Sequence, residues 1–161
     1  MFSQLLLPLL AKIVCVVSIP HSTNNNALMQ LLTNVIDLIL MAKGEISLKE
    51  MYLIVQTAPQ TPMPEYTSDM DVEESKEWLN WQTWQKNSLC YKYIELASIK
   101  AENGELSDSQ KEDLNLTIEY WVKEFPQLSE RTRSIIVASF TGLANPFLRG
   151  DLRELFCTCL L

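Results

Sequence analysis

From Asn26 the chain reads Ala-Leu-Met-Gln-Leu-Leu-Thr-Asn-Val-Ile-Asp-Leu-Ile-Leu, with apolar residues at Leu28, Leu31, Leu32, Val35, Ile36 and Ile39. Spacings of three and four place them on one side of an α-helix, and Gly44 supplies the left-handed residue that closes it. Ser47-Leu-Lys-Glu50 then reads as a capping box opening a second helix, which runs to about Gln56. Pro59, Pro62 and Pro64 forbid regular structure beyond it, so residues 57–70 form a proline-rich loop. Ser68 or Asp71 caps the next helix, which carries an acidic first turn at Glu73-Glu74 and an aromatic-rich run to about Glu102, before Asn103-Gly104. Ser107-Asp-Ser-Gln110 is a second capping box, and Leu114, Ile118, Trp121, Val122 and Phe125 form a stripe on the helix it opens, which Pro126 ends. Ser129 caps a further helix in which Ile135 to Phe140 is apolar around its circumference, as expected of a helix surrounded by others. Asn145-Pro146 opens the last one, with Leu148, Leu152, Leu155 and Phe156 facing inward.

These elements predict an all-α fold, a bundle of about six to seven helices without internal repeats. The valine- and isoleucine-rich Lys12 to Ile19 is the one place where a short strand competes with a helix. A chain of 161 residues with 47% hydrophobic residues fits one domain, 1–161, with its own core. Four glycines are too few for glycine-rich phosphate loops or for most turn-rich β folds. Lys+Arg 13 against Asp+Glu 20 gives a net charge of -7, which disfavours DNA binding through the overall field and leaves only a local basic patch for it. Leu5 to Ile19 is apolar, but Lys12 sits inside it, Pro8 interrupts it, and it is short for a bilayer span, so no membrane insertion is expected. The apolar head and the apolar tail Leu155 to Leu161 lead to the expectation that both ends continue into or pack against something larger.

Candidate chemistry is sparse. Cys15, Cys90, Cys157 and Cys159 do not space as a zinc site, and buried free thiols in a reducing cytoplasm are the simpler reading. His21, the single histidine, lies in a polar loop and reads as a turn or cap residue rather than a catalytic base. The acidic residues are scattered over helix surfaces and first turns, and Asn115-Leu-Thr117 falls inside a helix, so neither an acid-base pair nor glycosylation is indicated. No catalytic residue, metal site or cofactor is expected. Projected as one helix, Trp78, Leu89, Tyr93 and Leu96 share a core face with Trp81 and Ile99 at its edge, whereas Trp84 and Tyr91, one heptad apart, project together among polar residues. That pair is either a contact patch for a partner or covered by the proline loop or another helix. Arg149 and Arg153, four residues apart on one helix flank, call for an anion or an acidic neighbour. Arg131 and Arg133 sit near a helix N-terminus, where cations are disfavoured, so an acidic group is expected to compensate them.

The stretch Trp121-Val-Lys-Glu-Phe-Pro-Gln-Leu-Ser-Glu-Arg-Thr-Arg-Ser-Ile-Ile-Val-Ala-Ser-Phe140, followed by Leu143-Ala-Asn-Pro-Phe-Leu-Arg-Gly-Asp-Leu-Arg-Glu-Leu-Phe156, resembles the all-α domain of TraG/TraD-type coupling ATPases of conjugation and type IV secretion. In that family a helix with a Thr-Arg-Ser-like sequence precedes a Pro-Phe-Leu-like segment. The resemblance covers about the last quarter of the chain. It implies a non-catalytic insertion domain, fragment of a larger ATPase that is a membrane-anchored hexamer at the bacterial inner membrane. The domain would project into the cytoplasm and recognise relaxosome components or secreted-substrate proteins. The family's Walker motifs are missing from these residues. Trp84, Tyr91, Arg131, Arg133, Arg149 and Arg153 are then the contact candidates. From the residues alone, the alternative is a self-contained cytoplasmic helical adaptor or regulator that oligomerises through its apolar termini.

Overall fold

The computed structural model describes residues 23–65, 68–150 and 153, and every regular element within them is helical. The readings made above for Lys12 to Ile19, His21, Leu152, Leu155 and Phe156 lie outside those residues. Helix α1, Thr23–Lys43, is the centre of the bundle and packs against four other helices. Leu31, Val35, Leu38 and Ile39 are completely buried on it, Leu28 and Leu32 nearly so, and each such side chain contributes about 1.5–3 kcal/mol. Gly44 ends α1 at φ 83°, its N–H donating to the Leu40 carbonyl at 2.8 Å.

Helix α2, Leu48–Gln56, leaves α1 at a bend of 114° and buries Met51, Ile54 and Val55. Ser47 caps it by accepting from the Glu50 N–H. The return half of the expected box is not made, because the Glu50 carboxylate instead takes Lys43 Nζ across the bend at 2.6 Å. Helix α3, Val72–Asn87, is capped by a full box between Asp71 and Glu74.

The aromatic-rich run is not one helix. It breaks at Ser88, which ends α3 and caps α4, Leu89–Glu102, by accepting from the Tyr91 N–H. The break resets the helical phase. Cys90, Tyr93, Ile94 and Ala97 become the core face of α4, and Leu96 and Ile99, expected inside, are 45% and 47% exposed.

The Ser107 capping box opens α5, Asp108–Glu119, which continues through a π-helical turn at Tyr120–Glu124 into α6, Phe125–Gln127. Pro126 has no N–H for the Val122 carbonyl, and the Phe125 N–H reaches back to Tyr120 instead. The wide turn brings Tyr120, Trp121 and Phe125 inward together, with ring centroids 5.1–6.0 Å apart. Helix α7, Glu130–Leu148, buries Ile136, Phe140 and Ala144 on one face only; Ile135, Ala138 and Ser139 are exposed, so it lies on the bundle's surface rather than inside it. Pro146 lies within α7 rather than opening a new helix, depriving Gly142 of a partner one turn from the helix end, where the loss costs least.

Counting α5, the π turn and α6 as one rod, the described residues form six helical rods. Among them no single helix is long and apolar enough to cross a membrane.

Candidate interaction site

Trp78, Trp81 and Trp84 recur every three residues along α3, whose main helix contact among the described residues is with α4. Trp81 is buried, and Trp78 and Trp84 are half-buried. Tyr91, in the first turn of α4, meets Trp84 edge-on at 5.8 Å and Trp81 at 6.3 Å, while the two indoles lie 5.0 Å apart. The structure therefore brings Trp84 and Tyr91 together as the heptad spacing suggested, although the helix that spacing assumed is broken between them. Packed aromatic pairs of this geometry contribute about 0.5–1.5 kcal/mol beyond burial. Val72 and Leu79, at 74% and 61% exposure, stand on the outer side of α3.

Thr57 holds this corner. Its carbonyl accepts from Trp84 Nε1 at 2.8 Å and from Ser88 Oγ at 2.7 Å. Its hydroxyl accepts from the N–H groups of Leu89 and Cys90 at 3.0 and 3.2 Å while donating to the Leu53 carbonyl at 2.7 Å. One donor and two acceptor sites exhaust a hydroxyl. The start of the proline-rich loop thus covers one edge of Trp84 and leaves the indole half-exposed. Nothing in the sequence distinguished Thr57 from any threonine after a helix. Trp81 Nε1 is buried with no hydrogen-bond partner, an arrangement that costs about 1–3 kcal/mol.

The arginines do not gather into one site. Arg133 is half-buried, and its guanidinium donates to the carbonyls of Pro126 at 2.7 Å and Leu128 at 2.8 Å. Its expected acidic partner is replaced by the unpaired carbonyls at the end of α6, where the helix dipole favours a cation. Arg131 is exposed and makes no hydrogen bond or ion pair among the described residues. Arg149 is the C-cap of α7 with extended backbone, and Gly150 follows at φ 62°. Arg149 and Arg153 are both exposed, but Arg149 has extended backbone beyond the end of α7, so the two do not share one continuous helix as their spacing suggested.

Elsewhere, titratable groups are set by burial. Tyr93 lies beside the Lys43–Glu50 pair, and desolvation first, then Glu50, pushes its phenol up to about 12. Burial raises the Cys90 thiol well above its ordinary range, and it raises Tyr120 too. Asp37 is raised by burial and by Asp113 across the α1–α5 interface. Among the described residues, no group of three or more His, Cys, Asp or Glu side chains is placed to hold a metal ion. Thr117 of the sequon is itself buried. Every described element is helical, and the sequence carries no Walker motif. No protein-family model matches this chain, and neither the curated proteins nor the solved structures give a match.

Proposed function

We propose that this chain is a non-catalytic recognition domain, the all-α domain of a TraG/TraD-type coupling ATPase, which docks relaxosome or secreted-substrate proteins through the α3–α4 corner. The observation that carries the docking role is the aromatic cluster Trp81, Trp84 and Tyr91 where α3 meets α4, with two of its rings half-exposed. Tryptophan and tyrosine supply large, rigid contact area with a polar edge, the composition of energetic centres in protein interfaces. The family assignment rests on the resemblance of the C-terminal quarter. There, Thr132-Arg133-Ser134 opens α7, and Pro146-Phe147-Leu148 forms its last turn. An acidic net charge of -7 fits a protein partner better than DNA.

The experiment is capture of a purified relaxase or accessory protein by the purified chain. Retention that drops with Trp84→Ala or Tyr91→Ala supports the docking role. No retention, or retention indifferent to both, overturns it. ATP hydrolysis above background by the purified chain would overturn the non-catalytic reading.

A further inference from the structure

The break at Ser88 has one local support, the cap that Ser88 Oγ gives the Tyr91 N–H. Neither glycine nor proline lies between Val72 and Glu102, and the residue pattern alone predicts a helix running straight through. The break is otherwise held from outside, by the four hydrogen bonds to Thr57. In a continuous helix the N–H groups of Leu89, Cys90 and Tyr91 would pair with the carbonyls of Gln85, Lys86 and Asn87. In the kinked form the same three donors are met by Thr57 Oγ1, Thr57 Oγ1 and Ser88 Oγ. The two forms therefore satisfy one set of donors in alternative ways. In the kinked form Trp81 Nε1 is buried without an acceptor.

Chain length permits the exchange. Helix α3 has 16 residues and is about 24 Å long, whereas the connection from Ala58 to Asp71 reaches roughly 46 Å when extended. Helix α3 can thus align with α4 while α1 and α2 stay in place, at the expense of the burial of Trp81 and its packing on Tyr91.

We propose that α3 is a hinged arm latched by Thr57, which swings about Ser88 to form one helix from Val72 to Glu102. The swing uncovers Trp81, Trp84 and the edge of Tyr91, and so controls access to the docking cluster. That control rests on the function proposed above; the hinge itself does not.

The test measures the distance between bio-orthogonal spin labels at Ser75 and Glu102, both exposed, in the full chain without partner. A straight helix separates these positions by about 40 Å along its axis. Wild type and Thr57→Ser, which keeps the hydroxyl, give a shorter distance. Thr57→Val and Trp84→Phe, which delete different parts of the latch, each shift population to about 40 Å with helicity by circular dichroism retained, and acrylamide quenching of tryptophan rises. If Thr57→Val does not fold, Trp84→Phe decides alone. An unchanged distance in the folded variants, or loss of helicity without the longer distance, overturns the hinge. A longer distance combined with failure to capture a partner retains the hinge and removes the docking role.

Discussion

Replacing Arg133 by methionine separates a structural arginine from a docking one. The substitution keeps an unbranched side chain of good helix propensity and removes two charge-assisted hydrogen bonds, to Pro126 O at 2.7 Å and Leu128 O at 2.8 Å. Bonds to charged groups contribute about 1.5–3 kcal/mol each, but the side chain is half-buried and its Nε is already unpartnered inside the protein. The freed carbonyls also lie at a helix end that water can reach in part. We therefore expect a total loss of about 2–3 kcal/mol, which for a chain of this size lowers Tm by roughly 5–10 °C. Arg133→Lys should fall between, since an ammonium is a point donor and the guanidinium fork spans both carbonyls. Arg131→Met, two residues away and exposed, should stay within about 0.5 kcal/mol. Urea unfolding followed by far-UV circular dichroism, with unchanged slope, measures all three. Equal effects at 131 and 133, or a neutral Arg133→Met that weakens partner capture, would refute the assignment of Arg133 to the end of α6.

Asp37 holds its proton more tightly in the folded chain than in the unfolded one, so its ionisation costs stability as pH rises through the range above 3.8. Asp37→Asn should be more stable than wild type at neutral pH, with the difference closing as pH falls below the ordinary aspartate range; a difference that grows on acidification would contradict this. The buried Cys90, in a variant with Cys15, Cys157 and Cys159 changed to serine, should react with a thiol reagent only as fast as the chain opens, and fast native labelling would show the site is accessible. Leu96→Gln and Ile99→Gln on the exposed side of α4 should change stability by less than about 0.5 kcal/mol, against about 2–5 kcal/mol for Ile94→Ala; the reverse order in urea titrations would restore the single-helix projection.

Where structure is local, the residues announce it. The stripe of α1, the closure at Gly44, the caps at Ser47, Asp71, Ser107 and Ser129, and the helical class all follow from spacing and capping chemistry within a turn or two. What stayed hidden depends on groups distant along the chain. The break at Ser88 joins the Ser88 cap to hydrogen bonds with Thr57, which lies 31 residues earlier, so helical projection carried Leu96 and Ile99 to the wrong side. The π turn was invisible because a 3.6-residue period describes Leu114 and Ile118 well and fails only where Pro126 withdraws its donor. Arg133 looked electrostatically stranded because a sequence lists charged partners but not free carbonyls. The heptad spacing set Trp84 and Tyr91 on one side, but their ring contact comes from the break at Ser88, and neither that contact nor the covering of one indole edge by the loop was legible.

The claim that the α3–α4 corner docks a protein is tested most directly by titrating the purified chain with a purified relaxase or accessory protein and comparing wild type with Tyr91→Ala, which spares every hydrogen bond to Thr57. We expect a dissociation constant raised at least about tenfold, as for an interface centre, with the fold intact by circular dichroism. An unchanged constant in the folded variant would contradict the account.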